Sequence, residues 1–97
     1  MGVDEAKHFG LVNRSCDHGH LINDALGWAH QIAQSAPLSL AAIKSVVRKT
    51  EAMDLESAYE CMRSGEIEAY LKMLRSEDAN EGPLAFSEKR SPEWKGK

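Results

Sequence analysis

The chain has 97 residues, a length that holds one modest hydrophobic core and makes a second domain of any size unexpected. Hydrophobic residues make up 42% of the chain and charged residues 28%, which excludes a collagen-like, low-complexity or wholly disordered protein. Lys and Arg number 12 and Asp and Glu 15, so the net charge is -3. Such a chain lacks the basic excess that a dedicated nucleic-acid binder or a protein bound to an anionic membrane needs.

Cysteine usage and the first ten residues predict a cytoplasmic protein. Cys16 and Cys61 are too few for a disulfide framework and do not form a C-x-x-C pair, which favours a reducing compartment. No apolar run approaches the roughly 18 residues of a membrane span. Residues 1–10 carry acidic side chains where a secretory signal would be basic and then apolar.

Residues 1–16 predict a short helix followed by one strand. Residues 3–9 fit a helical turn that Gly10 ends as a left-handed C-cap residue. Residues 11–16, LVNRSC, are too short for a helix and begin with Leu-Val, which favours an extended strand. No second strand pattern follows, and a single strand is not a stable sheet. Its partner must therefore lie outside this chain, or the strand does not form.

Long amphipathic helices are predicted after the polar loop at residues 17–20. The first begins near Leu21 and has apolar residues spaced by three and four. Pro37 suits the first turn of a second helix. Asp54 is a good N-cap for a third helix with inward apolar residues from 55 to 74, in which Gly65 is a weak point. The predicted apolar face of the second helix consists of Leu40, Ile43, Val46 and Val47.

The last quarter of the chain predicts a further helix and a loose tail. Ser76 is an N-cap candidate, and Gly82-Pro83 is expected to end or kink the helix before the helical pattern resumes. The tail at residues 91–97 is expected to fray unless Trp94 docks onto the rest of the chain. The predicted fold class is mainly α, with one short strand.

Metal and nucleophile chemistry are weakly indicated. His18, His20 and Asp17 could supply three ligands at best, and no distant Cys/His pair completes a zinc site, so a solvated loop is the favoured interpretation. Cys16 and Cys61 share no local signature with a histidine base such as that at position 8. We therefore predict no metal site and no catalytic residue in this chain.

Phe86 and Lys89 form the one cluster whose chemistry suggests a ligand. They lie within one helical turn of each other, beside Glu88 and Arg90. An aromatic face next to a cation can hold an adenine ring and a phosphate. The spacing alone favours the alternative, in which Phe86 lies in the core and Lys89 in water. The remaining glutamates are expected to be mostly solvated on helix surfaces.

Three stretches together resemble a known family: AKHFGLVNR at 6–14, QSAPLSLAAIK at 34–44 and SEDANEGPLAFSEKRSPEWKGK at 76–97. They resemble the C-terminal third of the enoyl-CoA hydratase/isomerase (crotonase) family, and the resemblance covers residues 1–97. It implies the C-terminal helical region of a crotonase-like α/β spiral fold, with residues 1–16 as the end of a core helix and a strand, and residues 17–97 as helices and tail. The loop DHGH at 17–20 departs from the family pattern, so it carries no implied role.

The resemblance also implies a function. The family hydrates or isomerises acyl-CoA thioesters without a metal or redox cofactor, and its oxyanion-hole amides and acidic residues belong to an N-terminal core whose motifs are absent from this chain. In the family, the Phe and Lys of the A-F-x-E-K pattern approach the adenine and 3′-phosphate of coenzyme A bound to an adjacent subunit; here they are Phe86 and Lys89. In an assembled enzyme, the resemblance thus favours a ligand-binding role for Phe86 and Lys89 over the core placement that spacing alone favoured.

We therefore expect the chain to contribute subunit packing in a trimer-type homo-oligomer and to cover acyl-CoA, without catalysis on its own. We expect no nucleic-acid or membrane partner. The alternative is a non-catalytic helical oligomerisation or partner-binding module, since three apolar helix faces in so small a chain leave hydrophobic surface for a partner to cover.

Overall fold

A computed structural model describes residues 1–97. The chain is 64% helical and contains six helices and no strand, which confirms the mainly α prediction. It forms two compact units, Met1–Ile32 and Ala33–Lys97. The helices are α1 (Val3–His8), α2 (Leu21–Ala33), α3 (Pro37–Thr50), α4 (Leu55–Ser64), α5 (Glu68–Arg75) and α6 (Asp78–Glu88).

The strand predicted for residues 11–16 does not form. Gly10 turns the chain with a φ of 71°, and the backbone N–H groups of Leu11 and Val12 both donate to the carbonyl oxygen of Ala6, at 2.9 and 3.3 Å. Residues 13–16 continue without regular structure, and all six residues are exposed. The prediction of a strand is therefore wrong for this chain, because no second extended segment exists to pair with it.

The third predicted helix is two helices, separated at Gly65. Gly65 adopts a φ of 87° and ends α4, and α5 begins after Ile67, which is buried. A left-handed residue stops the helical hydrogen-bond pattern, and glycine adopts that conformation at little cost. The predicted cap of α4 is confirmed, since Oδ1 of Asp54 accepts a hydrogen bond from the N–H of Ser57 at 3.1 Å.

Helix α6 runs through Gly82 and Pro83 without a break, so the helix does not end there, the first of the two predicted outcomes. Pro83 lacks an N–H, so one helical hydrogen bond is lost. Proline normally disfavours helical backbone in the residue before it by contact with that residue's Cβ, and Gly82 has none. The predicted capping role of Ser76 is confirmed, because its Oγ accepts from the N–H of Ala79 at 3.1 Å.

The core of the second unit lies mainly between α3 and α5. Leu40 and Val46 of α3 are half-buried as predicted, whereas Ile43 and Val47 are exposed. In the first unit no residue of α2 is buried, and its aliphatic side chains Leu21, Ile22, Leu26 and Ile32 are between 48% and 69% exposed. The chain thus folds into helices but leaves much of their apolar surface uncovered. The buried apolar residues are Ala36, Ala42, Cys61, Ile67 and Ala85.

Candidate functional site

The tail after α6 folds back onto that helix. The indole Nε1 of Trp94 donates to the carbonyl oxygen of Gln34 at 2.8 Å. The backbone N–H groups of Lys95 and Gly96 donate to the two carboxylate oxygens of Asp78 at 2.8 and 2.9 Å, and Asp78 is only 5% exposed. The sequence predicted that the tail would fray unless Trp94 docked onto the rest of the chain. In the structure Trp94 does dock, and the tail is held.

A cluster of charged groups joins the tail to the middle of α6. Arg90 donates through Nη1 and Nη2 to the two carboxylate oxygens of Glu81 at 2.5 and 3.0 Å, and through Nε to Glu88 at 2.6 Å. The backbone N–H of Glu93 also donates to Glu81, at 2.7 Å. We call these four residues the Arg90 clamp. Sequence reasoning treated Glu81 as one of many solvated acids and missed this role.

The Arg90 clamp favours the ionised form of the Glu81 carboxylate. The hydrogen bonds from the Arg90 guanidinium, and next the one from the Glu93 backbone, lower the pKa of Glu81 from 4.5 to about 2. The hydrogen bonds from Arg90 to Glu81, and next the one to Glu88, raise the pKa of Arg90. At the start of α6 a second ion pair, Lys95 to Glu77 at 3.0 Å, lowers the pKa of Glu77.

Phe86 and Lys89 lie together at the C-terminal end of α6. The side chain of Phe86 is 88% exposed, so the alternative in which it lies in the core is wrong for this chain. Lys89 is also exposed and forms none of the ion pairs in the structure. Because Glu81 and Glu88 neutralise the neighbouring Arg90, Lys89 is the unpaired cation at this end of the helix. An exposed aromatic ring and an unpaired ammonium group can bind a purine ring and an anion.

Lys89 has an unusual backbone conformation. Its φ of 55° and ψ of 38° are left-handed, and no other residue except glycine has a positive φ. Its N–H donates to the carbonyl oxygen of Phe86 at 3.3 Å, and the N–H of Arg90 donates to that of Ala85 at 3.1 Å. This pair of bonds is the Schellman motif, in which glycine usually occupies the position that Lys89 fills.

The other sequence candidates do not assemble into a site. His18, His20 and Asp17 lie in an exposed loop, and no group of three or more His, Cys, Asp or Glu side chains is placed to hold a metal ion. Cys16 is exposed in the first unit, and Cys61 is buried in α4.

The first unit contains a cavity of about 600 Å³ that sequence reasoning did not anticipate. Its lining includes Arg14, Cys16 and Trp28, and the guanidinium carbon of Arg14 lies 4.1 Å from the centre of the Trp28 ring. Phe86 and Lys89 belong to the second unit and do not line it.

Residues 1–97 match the enoyl-CoA hydratase/isomerase family along the whole chain. The chain is a member of this family. It is 50% identical over 97 residues to a carnitinyl-CoA dehydratase of Proteus mirabilis strain HI4320, and 48% identical to that of Escherichia coli strain K12. Each match covers 100% of this chain and 37% of the relative.

A solved structure assigns this chain to the same family as its sequence relatives do. The crystal structure of an enoyl-CoA hydratase/isomerase from Mycobacterium paratuberculosis superposes with a TM-score of 0.83 at 31% identity, over 100% of this chain and 37% of that one. The resemblance seen in the sequence is thus confirmed, and the helical fold is that of a C-terminal crotonase segment. The chain spans 37% of the length of the curated relatives that it matches. None of its six helices has the length and apolar character needed to cross a membrane.

Proposed function

We propose that this chain serves as the C-terminal helical segment of a cytoplasmic enzyme that, like carnitinyl-CoA dehydratase, hydrates an α,β-unsaturated acyl-CoA reversibly. Its part is subunit packing in a trimer-type homo-oligomer and covering of the bound acyl-CoA. The 50% identity to a carnitinyl-CoA dehydratase supports this. So do two stretches that resemble the same member of the family, RSG at 63–65 and EGPLAFSEKRSPEWKGK at 81–97. Addition of water to a double bond involves no net oxidation, so the reaction requires no redox cofactor.

The observation that carries the proposal is the exposed pair at the end of α6. The Phe86 ring, 88% exposed, offers a face for adenine, and the unpaired ammonium of Lys89 offers a charge-assisted contact for the 3′-phosphate of coenzyme A. Water solvates large exposed aromatic rings poorly, so a planar ligand that covers Phe86 also removes apolar area from solvent.

The experiment is a titration of the ¹⁵N-labelled chain with coenzyme A and with 3′-dephospho-coenzyme A, followed by amide chemical shifts. We expect the largest changes at Phe86 and Lys89, and smaller ones without the 3′-phosphate. The variant Lys89→Gln should lose the preference for the 3′-phosphate. Lys72→Gln is the matched control, because Lys72 is also an exposed lysine without an ion pair, on α5. Shifts centred elsewhere, or none at millimolar coenzyme A, would contradict the proposed contact.

The chemistry itself is proposed to lie outside this chain. Fixed N–H donors at a developing enolate oxygen typically contribute about 3 kcal/mol to barrier lowering, and a positioned carboxylate adds acid-base help. The resemblance places both in the family's N-terminal core. We therefore expect no hydration of crotonobetainyl-CoA or crotonyl-CoA by the purified 97-residue chain. Turnover in a spectrophotometric hydration assay would disprove this division of roles.

A second candidate function, a helical association module without coenzyme A binding, is favoured by α2. Its side chains Leu21, Ile22 and Leu26 are 65%, 69% and 53% exposed, and such a surface favours a protein partner. Sedimentation should show self-association that Leu26→Gln weakens and that Gln31→Ala, an exposed polar position of the same helix, leaves unchanged. Association without shifts at Phe86 and Lys89 would favour the module over the acyl-CoA role.

A further inference from the structure

We infer that Glu81 and Arg90 are positioning residues for phosphate binding, because they hold Lys89 in its left-handed conformation at the exposed end of α6. For the identity of the ligand this inference rests on the proposed function. It adds to that function two residues that do not themselves contact the ligand.

The starting observation is the backbone of Lys89. Glycines supply every other positive φ in the chain, at positions 10, 19, 65 and 96, whereas here a lysine adopts a φ of 55°. The left-handed region brings Cβ close to the following carbonyl oxygen, so a side chain there is disfavoured. Such a conformation persists only where the surroundings fix it, and it commonly marks a functional position.

The two Schellman hydrogen bonds are part of these surroundings, and the Arg90 clamp supplies the rest by holding Arg90, whose N–H donates one of them. Arg90 follows Lys89 directly, and its guanidinium forms two hydrogen bonds to Glu81 and one to Glu88. The Glu81 side chain is 17% exposed, so water screens this bidentate pair less than it screens an ion pair on the open surface. Since Glu81 lies in the middle of α6 and Arg90 lies beyond its end, the pair fixes the direction of the chain on both sides of Lys89.

The charges also distinguish Lys89 from Arg90. Arg90 faces two carboxylates, Glu81 at 2.5 Å and Glu88 at 2.6 Å, while Lys89 faces none. A phosphate that approaches the end of α6 therefore meets an unpaired ammonium group and a guanidinium that is already neutralised. This predicts that loss of Glu81 weakens phosphate binding through Lys89, even though it frees the Arg90 charge.

The test compares the wild-type chain with Glu81→Gln, and uses Glu60→Gln as a matched control, since Glu60 is exposed and unpaired. The first readout needs no ligand: the Cα chemical shift and the three-bond HN–Hα coupling of Lys89 report its φ. In Glu81→Gln we expect both values to leave the left-handed range. Both values should be unchanged in Glu60→Gln. In the double variant Glu81→Gln with Lys89→Gly, position 89 should again form a left-handed turn, because glycine needs no clamp there.

The second readout is the ratio of affinities for coenzyme A and 3′-dephospho-coenzyme A, which should fall about fivefold in Glu81→Gln, as for loss of one charge-assisted contact. An increase in that ratio would mean that Arg90 itself binds the phosphate, and would overturn the inference. Retention of the left-handed Lys89 in Glu81→Gln would also overturn it, whatever happens to affinity. If Lys89 changes conformation as expected but the wild-type chain shows no preference for the 3′-phosphate, the proposed function fails and the positioning of Lys89 stands.

A second substitution covers the case in which Glu81→Gln unfolds. Arg90→Lys keeps the positive charge but cannot form the bidentate contact. It should release Lys89 from the left-handed range while the amides of α3 and α5 keep their wild-type shifts. An unchanged Lys89 in folded Arg90→Lys would likewise contradict the inference.

Discussion

The indole Nε1 of Trp94 lies 2.8 Å from the carbonyl oxygen of Gln34, 60 residues earlier in the chain, and donates a hydrogen bond to it. The Trp94 ring also lies against Gly82, where a Cβ would come within 3.4 Å of it. Trp94 therefore fastens the tail both to the turn before α3 and to the surface of α6. With Asp78, which holds the next two amides, it gives residues 93–97 a fixed course.

Removal of the Trp94 side chain should destabilise the second unit. For Trp94→Ala we expect a loss of about 2–3 kcal/mol in the free energy of unfolding, from lost apolar contact and the lost hydrogen bond. Trp94→Phe keeps most of the ring contact and should lose only about 1 kcal/mol. Urea denaturation followed by circular dichroism measures both. Equal stability of the two variants would show that the ring contact contributes nothing, and equal stability of Trp94→Phe and wild type would show the same for the indole hydrogen bond.

Two glycines should respond to alanine with opposite signs. Gly27 lies inside α2, and a Cβ there meets nothing within 4 Å, so Gly27→Ala should stabilise the helix by about 0.5–1 kcal/mol. Gly65 has a φ of 87°, so Gly65→Ala should destabilise the chain by about 1 kcal/mol or more. Thermal denaturation of both variants checks the pair. A stabilising Gly65→Ala would mean that α4 and α5 can join as one helix.

A substitution at Lys89 should separate the effect on the free energy of unfolding from the effect on coenzyme A binding. Glycine fits the left-handed position better than lysine, so Lys89→Gly should leave the free energy of unfolding unchanged or raise it by up to about 1 kcal/mol. The same variant should lose the preference for the 3′-phosphate of coenzyme A. Denaturation and affinity are measured on one preparation. A marked loss of stability would show that the lysine side chain is itself needed for the fold.

Acid should weaken the Arg90 clamp through Glu81. The pKa of Glu81 falls from 4.5 to about 2 on folding, chiefly because Arg90 hydrogen-bonds to the carboxylate. A lowered folded-state pKa means that the unfolded chain binds protons more readily, so the stabilisation is complete above about pH 4.5 and is lost as the pH falls towards 2. Unfolding free energies across this window should fall more steeply for wild type than for Glu81→Gln. Asp54 and Glu77, whose pKa values are also lowered, remain in both proteins, so parallel curves would contradict the assignment to Glu81.

Local signals in the sequence were good predictors of helix ends. The caps at Asp54 and Ser76 and the first-turn position of Pro37 were confirmed, because each depends on atoms within three or four residues of chain. The break at Gly65 and the unbroken α6 at Pro83 were missed. In both cases a single glycine decides the outcome, at Gly65 by adopting a left-handed φ and at Gly82 by offering no Cβ to the following proline.

For the candidate site, the sequence supplied Phe86 and Lys89 through a family resemblance, but neither the Arg90 clamp nor the exposure of Phe86. Glu81 and Arg90 are nine residues apart, and an acid at that distance looks like any other solvated glutamate until the chain folds back. The periodicity of α6 could not show that Phe86 is left without cover.

From sequence alone came the family, the helical class and most helix ends, since these depend on residue types and short-range hydrogen bonds. The tertiary structure alone decided that residues 11–16 form no strand and that Asp78 and Trp94 hold the tail. Each of these depends on groups brought together from distant parts of the chain, or on a pairing partner that the chain does not provide. A local sequence pattern reveals neither kind of dependence.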